Sequence, residues 1–407
     1  MAPATAKPQI LTIDDLEEYA ALHLPKMVRD YYNGGSMNAY TLASNLEAYR
    51  RCQSIRPAIS FPCCVAPAAM QKMAHPDGEE ATARAAGSKG VLMGLSSFAT
   101  TSLEVVKSEC DKASRSRTSE CVLQMYLFEN REVSDNLIRR SEKAGYRAIV
   151  LTVDTPYFGR RLSEMRNGFK VPPHLKMANF DDSLGVKTGS QLRTEDRQST
   201  MAQVKAEQRP LNLDQQIAAS TDPKKVPPPN ENDPSLKWDV VRYLKSITSM
   251  KIFLKGILTA DDALLAVQNG ADGIIVSNHG GRQLDCAPPT LEVLPEIVEA
   301  VQGRTPVHFD GGIRRGSDIL KALCLGADMC WVGRPVLCGL AYDGEIGVKL
   351  ALDILEEEFR ACMALTGMRS IDEIRKEGRK MSRKVSWGSS HRRLGSSSER
   401  PNLASKL

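Results

Sequence analysis

The chain has 407 residues, 42% apolar and 25% charged, a balance that suits one large α/β domain or two ordinary ones and excludes a disordered or fibrous chain. A formal charge of +5, spread along the chain apart from a basic stretch near the end, and the lack of interleaved aromatic and basic residues argue against nucleic-acid binding. The ten cysteines form no C-x-x-C pair and have no paired histidine spacing, so no zinc or other metal site is expected. Several sit in apolar runs (FPCCVAP, DMCWVG), where a free thiol behaves as a small buried hydrophobe suited to a reducing compartment. The opening MAPATAKPQI lacks the apolar core of a signal peptide, and no run approaches the ~20 apolar residues that span a bilayer. The expectation is a soluble protein with no membrane association.

In chain order, residues 10 to 50 read as helices packing outside the main fold. Apolar, β-rich runs then recur: FPCCVAP from Phe61, GVLMGLS from Gly90, VLQMY from Val122, AIVLTVD from Ala148, KIFLKG from Lys251, GIIVSN from Gly273, PVHFDGG from Pro306 and MCWVGRP from Met329. Stretches with helical spacing lie between them, among them GEEATARAAGSK, REVSDNLIRRSEKAG, TADDALLAVQNGA and RGSDILKALCLGA. Several start at Asp or Thr and end at Gly, as caps require. Nearly continuous apolar strands alternating with helices indicate a parallel sheet covered on both faces. Eight such units without a change of pattern predict an α/β fold closed as a (β/α)8 TIM barrel. No strand is followed by G-x-G-x-x-G, which disfavours a dinucleotide fold.

Between Pro156 and Trp238 the rhythm breaks for about eighty polar residues, a long insertion after strand 4 expected to act as a partly mobile lid. A solvated excursion without a role accounts equally well for Gln191 to Pro234. Beyond residue 378 the chain turns basic and Ser-rich. Residues 1–378 are read as the barrel domain and 379–407 as a flexible arm. The arm ends in Ser405-Lys406-Leu407, the tripeptide read by the peroxisomal import receptor, so a peroxisomal location is expected.

Barrel chemistry sits at the C-terminal strand ends. The polar residues there are Ser96 and Ser97, Gln124 and Tyr126, Thr152 and Asp154, Lys255, Ser277-Asn278-His279 with Arg282, Asp310-Gly311-Gly312 with Arg314, and Gly333-Arg334. Of six histidines, only His279 holds such a rim position, making it the candidate general base. His308 lies within strand seven and reads as a core residue; His75, in the loop AHPDG, is placed near the site or in ordinary loop structure. DGGIRRG and VGRP bring backbone N–H groups and guanidinium groups together where barrels bind phosphate, although a tight turn alone would explain the glycine pair. Lys255, in IFLKG, needs an anionic partner that a ligand would supply. Asp154 is placed to orient the base, and Arg161 and Arg282 to grip an anion, a set suited to an acidic substrate.

TVDTPYFGRR, LKGILTADDA, VSNHGGRQLD, DGGIRRGSDILKALCLGA and VGRP, with YYNGGS, APAAMQKMAHPDGE and LSSFATTS, closely resemble the FMN-dependent 2-hydroxy-acid oxidases and dehydrogenases, from about Leu11 to Gly367. The resemblance implies His279 as base, Asp154 as its partner carboxylate, and a substrate carboxylate held by Arg161, Arg282 and Tyr31. It places Tyr126 near the reacting oxygen and Lys255 against the flavin N1 and C2 carbonyl. Ala68, Ser96, Gln124, Thr152 and Ser277 match the cradle of the flavin ring and ribityl chain; Asp310, Gly311, Gly312, Arg314, Gly333 and Arg334 match the ribityl and phosphate contacts. FMN is the implied cofactor, a small (S)-2-hydroxy acid and O2 the substrates, a 2-oxo acid and H2O2 the products, and a homotetramer the implied assembly.

Two departures stand out. Only Ala58, Ile59 and Ser60 bridge Pro57 to the first strand, where the family has a longer connector closing the barrel floor. Phe98 stands where short-chain glycolate oxidases tend to have Trp, implying a differently shaped pocket. The neighbouring readings are a dehydrogenase with a non-oxygen acceptor, a secondary-metabolite oxidase of the same family, an FMN-dependent isomerase, and a flavin-binding protein without activity.

Overall fold

The computed structural model describes residues 7–50, 52–53, 61–114, 120–180, 232–381 and 383–384. The Ala58–Ser60 bridge, most of the Gln191–Pro234 stretch and most of the arm, Ser405-Lys406-Leu407 included, lie outside the described residues; the arm expected from residue 379 instead begins as helix to Met381 and as a strand, Arg383–Lys384, paired with Cys52–Gln53. Eight parallel strands form a closed barrel in sequence order: β1 (Cys63–Val65), β2 (Met93–Ser96), β3 (Cys121–Met125), β4 (Ala148–Thr152), β5 (Lys251–Ile257), β6 (Gly273–Val276), β7 (Val307–Asp310) and β8 (Met329–Val332). The ring closes where Cys63, Cys64 and Val65 pair with Cys330, Trp331 and Val332. Six expected runs contain their strand and the other two miss it by one residue, Cys121 before VLQMY and Ile257 after KIFLKG, because a strand covered on both faces has to be apolar at nearly every position.

Outside the ring, the side chains of Leu123, Met125, Ile149, Leu151, Ile252, Leu254, Ile274, Val276 and Phe309 join the main core. It is shared with helices α4 (Gly78–Lys89), α5 (Leu103–Ala113), α6 (Arg131–Ala144), α8 (Val240–Ile247), α9 (Ala260–Gln268), α10 (Thr290–Val301), α11 (Gly316–Cys324) and α12 (Arg334–Thr366); α7 (Leu162–Arg166) is a short helix in the insertion, and α13 (Ile371–Met381) packs on α11. The alternate residues point inward. Cys64, Val122, Ala148, Val150, Ile275 and Trp331 form a separate interior cluster, with Ala66, Leu92, Phe253 and Met329 packed against it. His308 belongs to this floor, as its place within a strand implied: it accepts from Trp331 Nε1 at 3.1 Å and packs on Phe253. Burial pushes its imidazole down to about 4, so it stays neutral at ordinary pH.

The cap chemistry holds in part. Thr259 and Asn130 accept from backbone N–H groups of α9 and α6, and Gly90 and Gly145 end α4 and α6 in the left-handed region. Asp77, before α4, makes no cap bond and instead pairs with Arg84 at 2.6 Å. The N-terminal helices α1 (Ile13–His23), α2 (Lys26–Asn33) and α3 (Tyr40–Arg50) do more than pack outside. While α1 lies on α12, α2 and α3 reach the C-terminal rim, where Asn45 and Asn278 exchange amide bonds of 2.8 and 2.7 Å and Tyr49 Oη donates to the Gly311 carbonyl at 2.8 Å. No described helix is long and apolar enough to cross a membrane.

A buried carboxylate ties two rim loops together. Glu79, fully buried in α4, accepts from the backbone N–H groups of Gln71 and Thr100 at 2.9 Å each and from the Thr100 hydroxyl at 2.7 Å. Those loops carry Ala68 and Phe98. Glu79→Gln replaces an acceptor with a donor among donors, and is expected to lower stability by about 1–3 kcal/mol. Urea unfolding will show this as an earlier midpoint with unchanged slope.

Candidate active site

The site continues the inward positions of each strand upward. Two residues above Val122 is Gln124, then Tyr126; above Val150 come Thr152 and Asp154; above Phe253, Lys255; above Ile275, Ser277; above His308, Asp310; above Trp331, Gly333. The strand period of two thus delivers polar groups from six strands to one cleft of about 1110 Å³, open mouth included. Its lining includes Tyr31, Ala68, Ser96, Gln124, Tyr126, Thr152, Arg161, Lys255, His279, Arg282, Asp310, Gly311, Gly312, Arg314, Gly333 and Arg334. Of the residues expected at the site, Asp154 and Ser277 lie just behind this surface. His75 does not approach it: its ring packs against Gly344 in the kink of α12.

His279 follows β6 in a left-handed conformation, φ 57°, uncommon for a side-chain-bearing residue. Its backbone N–H donates to Ser277 Oγ at 3.0 Å, and its Nδ1 lies 2.8 Å from Asp154 Oδ1. With Nδ1–H turned to the carboxylate, the free lone pair is on Nε2. Burial pushes the imidazole below its ordinary value, aided by positive Lys255 and Arg282 and opposed by Asp154. Burial would raise Asp154, yet His279, Lys255 and the Thr155 hydroxyl together hold its carboxyl below the usual range. The pair therefore rests as neutral imidazole and carboxylate, the state of a poised base. Thr155, which sequence reasoning passed over, donates to the same Asp154 oxygen at 2.8 Å and stands 3.4 Å from His279 Nδ1. Its adjacency to Asp154 was the only local signal.

Lys255 differs from expectation in its partner. Protein supplies it: Asp310 Oδ2 lies 3.5 Å from Nζ, and Ser277 Oγ accepts at 2.9 Å. Asp310 Oδ1 is buried without a hydrogen-bond partner, a group that a bound hydroxyl would satisfy. Gly311 and Gly312 have φ of 106° and 84°; a Cβ on the first would meet Thr290 Oγ1 at 2.6 Å, and on the second the Asn45 carbonyl at 2.5 Å. Backbone geometry and the close approach of α3 both call for glycine here. Arg314 pairs with Glu17 of α1. Among the described residues, Arg334 donates only to neutral carbonyls, those of Tyr32, Gly280 and Gly34, at 3.0, 3.1 and 3.3 Å. Burial, with Arg282 and Arg314 nearby, pushes it down to about 9, still charged at neutral pH and in want of an anion.

Arg282, near Arg334, lies over the Tyr31 ring at 4.9 Å and donates to the Tyr31 carbonyl. Burial and the charge of Arg161 push it down to about 10. Phe98, in the β2 rim loop, joins Tyr126, Phe128, Phe158 and Phe180 in a ring cluster with centroids 5.5–6.3 Å from its own.

An FMN-dependent dehydrogenase family model matches residues 20–380. The chain belongs to the FMN-dependent dehydrogenase family. It is 43% identical to 2-hydroxyacid oxidase 1 of Homo sapiens, over 91% of this chain and 96% of the relative. It is also 43% identical to glycolate oxidase of Spinacia oleracea, over 90% and 94%. Among solved structures, a mandelate oxidase variant with (S)-mandelic acid superposes with TM-score 0.73 at 35% identity, covering 90% of this chain and 98% of that one. FMN is the cofactor the cleft has to accommodate, and the residues present fit it: an unsatisfied Asp310 oxygen, an uncompensated Arg334 charge, and a glycine, Gly333, where a Cβ would touch nothing but Ala66 Cβ at 3.8 Å.

The coupling of His279, Asp154 and Thr155 has a directional signature. Asp154→Asn removes the charge that raises the imidazole, so His279 titrates still lower; Thr155→Val removes a donor that competes for the carboxylate, so His279 titrates higher. Nitrogen-15 NMR of the imidazole across pH reads both shifts, and opposite signs are expected.

Proposed function

We propose that this protein oxidises a 2-hydroxy acid, R–CH(OH)–COO⁻, to the 2-oxo acid R–CO–COO⁻, with O2 reduced to H2O2 and His279 as general base. The observation that carries the reading is the His279 imidazole held 2.8 Å from Asp154, sharing one cleft with Arg161 and Arg282. FMN, when bound, supplies the acceptor for the two electrons and passes them to oxygen. Every other part belongs to the chain. Arg161 and Arg282 hold the substrate carboxylate, with Tyr31 beside them, and so fix carbon 2 under His279. The proton taken from the substrate goes to His279 Nε2, and Asp154 stabilises the imidazolium that forms. Tyr126, whose hydroxyl burial keeps protonated, faces the reacting oxygen as a donor. Lys255 places a positive charge where electron density accumulates. Ala68, Ser96, Gln124, Thr152 and Ser277 would hold the ring and ribityl chain, Asp310 would accept from a hydroxyl of that chain, and Gly311, Gly312, Arg314, Gly333 and Arg334 would hold the phosphate.

A catalytic unit that extends past residue 378 to the end of α13 at Met381 and to the Arg383–Lys384 pairing with Cys52–Gln53, the remainder up to 407 as an arm, peroxisomal import through Ser405-Lys406-Leu407 and homotetramer assembly complete the proposal, on the tripeptide and the family resemblance.

The purified protein is expected to be yellow and to bleach anaerobically with a 2-hydroxy acid, then recover within seconds in air. Recovery over many minutes would instead indicate an acceptor other than oxygen. His279→Gln should slow bleaching by several orders of magnitude, of the size that loss of a base in a concerted unit produces, while retaining FMN. Arg334→Lys keeps the charge but loses the fork, and should weaken FMN retention about tenfold or more. Fluorescence of released flavin on dilution measures it.

A further inference from the structure

Two arginines and one carboxylate share a corner of the cleft. Arg161 and Arg282 are nearly buried, with side chains 11% and 15% exposed. Glu164, three residues beyond Arg161 on the short helix α7, puts Oε1 3.1 Å from Arg161 Nη1 and 3.7 Å from Arg282 Nη2. The remaining contacts of the pair are neutral: Arg161 Nε to the Arg282 carbonyl at 3.4 Å, Arg161 Nη2 to Gln283 Oε1 at 3.3 Å, and Arg282 Nη1 to the Tyr31 carbonyl. Glu164 is the one carboxylate ion-paired with either arginine among the described residues. Two positive charges and one negative leave a single positive charge, which one substrate carboxylate neutralises.

With FMN bound as proposed, its phosphate takes Arg334 and the rest of the cleft offers no free cation to a second carboxylate. Lys255 faces Asp310 at 3.5 Å, and Arg314 is paired with Glu17. Arg334 lies with Gly280 and Gly333, at the glycine-rich end of the cleft. The cleft's aromatic surfaces are the Tyr31 ring, on which Arg282 lies, and the rings of Tyr126, Phe98 and Phe158, which pack on one another. A distal carboxylate there loses its water without gaining a cation and meets the field of Glu164.

Resting on the proposed oxidation of 2-hydroxy acids, we infer that Glu164 is a specificity-determining residue that restricts this site to monocarboxylate 2-hydroxy acids and excludes those bearing a second carboxylate. Its charge acts on any anion bound by the arginines, and acts twice on a dianion. Removing it strengthens binding of both classes and of dianions more.

The test compares the FMN-loaded wild type with Glu164→Gln, using 2-hydroxypropanoate against 2-hydroxybutanedioate as substrates. Acetate against malonate serve as unreactive ligands, followed by calorimetry. Wild type is expected to favour the monoanion by at least tenfold in kcat/KM. Glu164→Gln should cut that preference about tenfold, chiefly through KM and the ligand Kd, an effect consistent with one like charge a few ångströms away in a partly screened site. Glu164→Asp should retain the preference, and Glu164→Ala should lose it, giving a second variant should the glutamine form not fold. A wild type that turns over 2-hydroxybutanedioate as well as 2-hydroxypropanoate overturns the inference, as does an unchanged ratio in the folded variants. If no 2-hydroxy acid bleaches the flavin, the proposed function fails, and the acetate and malonate titrations still decide the role of Glu164 in anion selection.

Discussion

Closing a parallel sheet on itself leaves every strand with one inward and one outward set of side chains. That constraint governs this molecule from floor to rim. The outward set is apolar because eight helices cover it. The inward set is apolar only as far as Val122, Val150, Ile275 and Trp331; one step higher, the same parity yields Gln124, Thr152, Ser277 and Gly333, and the barrel changes from packing to chemistry within a single pleat. A slip of one residue in any strand would send its polar rim group into the helix-facing core and an apolar group into the cleft.

The cleft is then organised by charges that the fold has removed from water. Lys255 meets Asp310, His279 meets Asp154, and Arg161 and Arg282 meet Glu164, each pairing reducing but not cancelling the local field. What remains unpaired is informative: an oxygen of Asp310 and the charge of Arg334 are costs the bare protein carries until a ligand offsets them. The strained backbone at His279 belongs with these costs, held in place by Ser277 below and Asp154 beside it.

Much of this was legible in the residues alone. All eight strands could be placed because burial on both faces makes each a short apolar run, and the rim groups followed because they stand at the ends of those runs. Pairings across the fold were another matter. That Asp310 serves Lys255, that Glu164 serves two arginines, and that Asn45 braces Asn278 depend on distances that no local pattern encodes. Asp77 precedes α4 without capping it, its side chain paired with Arg84. His75 looked available and is occupied by packing against the kink of α12. The N-terminal helices read as outer packing because amphipathic spacing reveals that a helix is covered, and not by what.

Those same helices bear on how the molecule is made. Tyr31, Asn45 and Tyr49 join the rim through contacts with Arg282, Asn278 and Gly311, partners separated from them by 251, 233 and 262 positions in the chain. Emerging first from the ribosome, α2 and α3 have no seat until β6 and β7 have been synthesised and the ring has closed. Assembly of the cleft is thereby a late event along the folding route, since loops of that length close only after nearer contacts have formed. Until then the nascent chain exposes apolar helix faces that a barrel completed strand by strand would cover sooner.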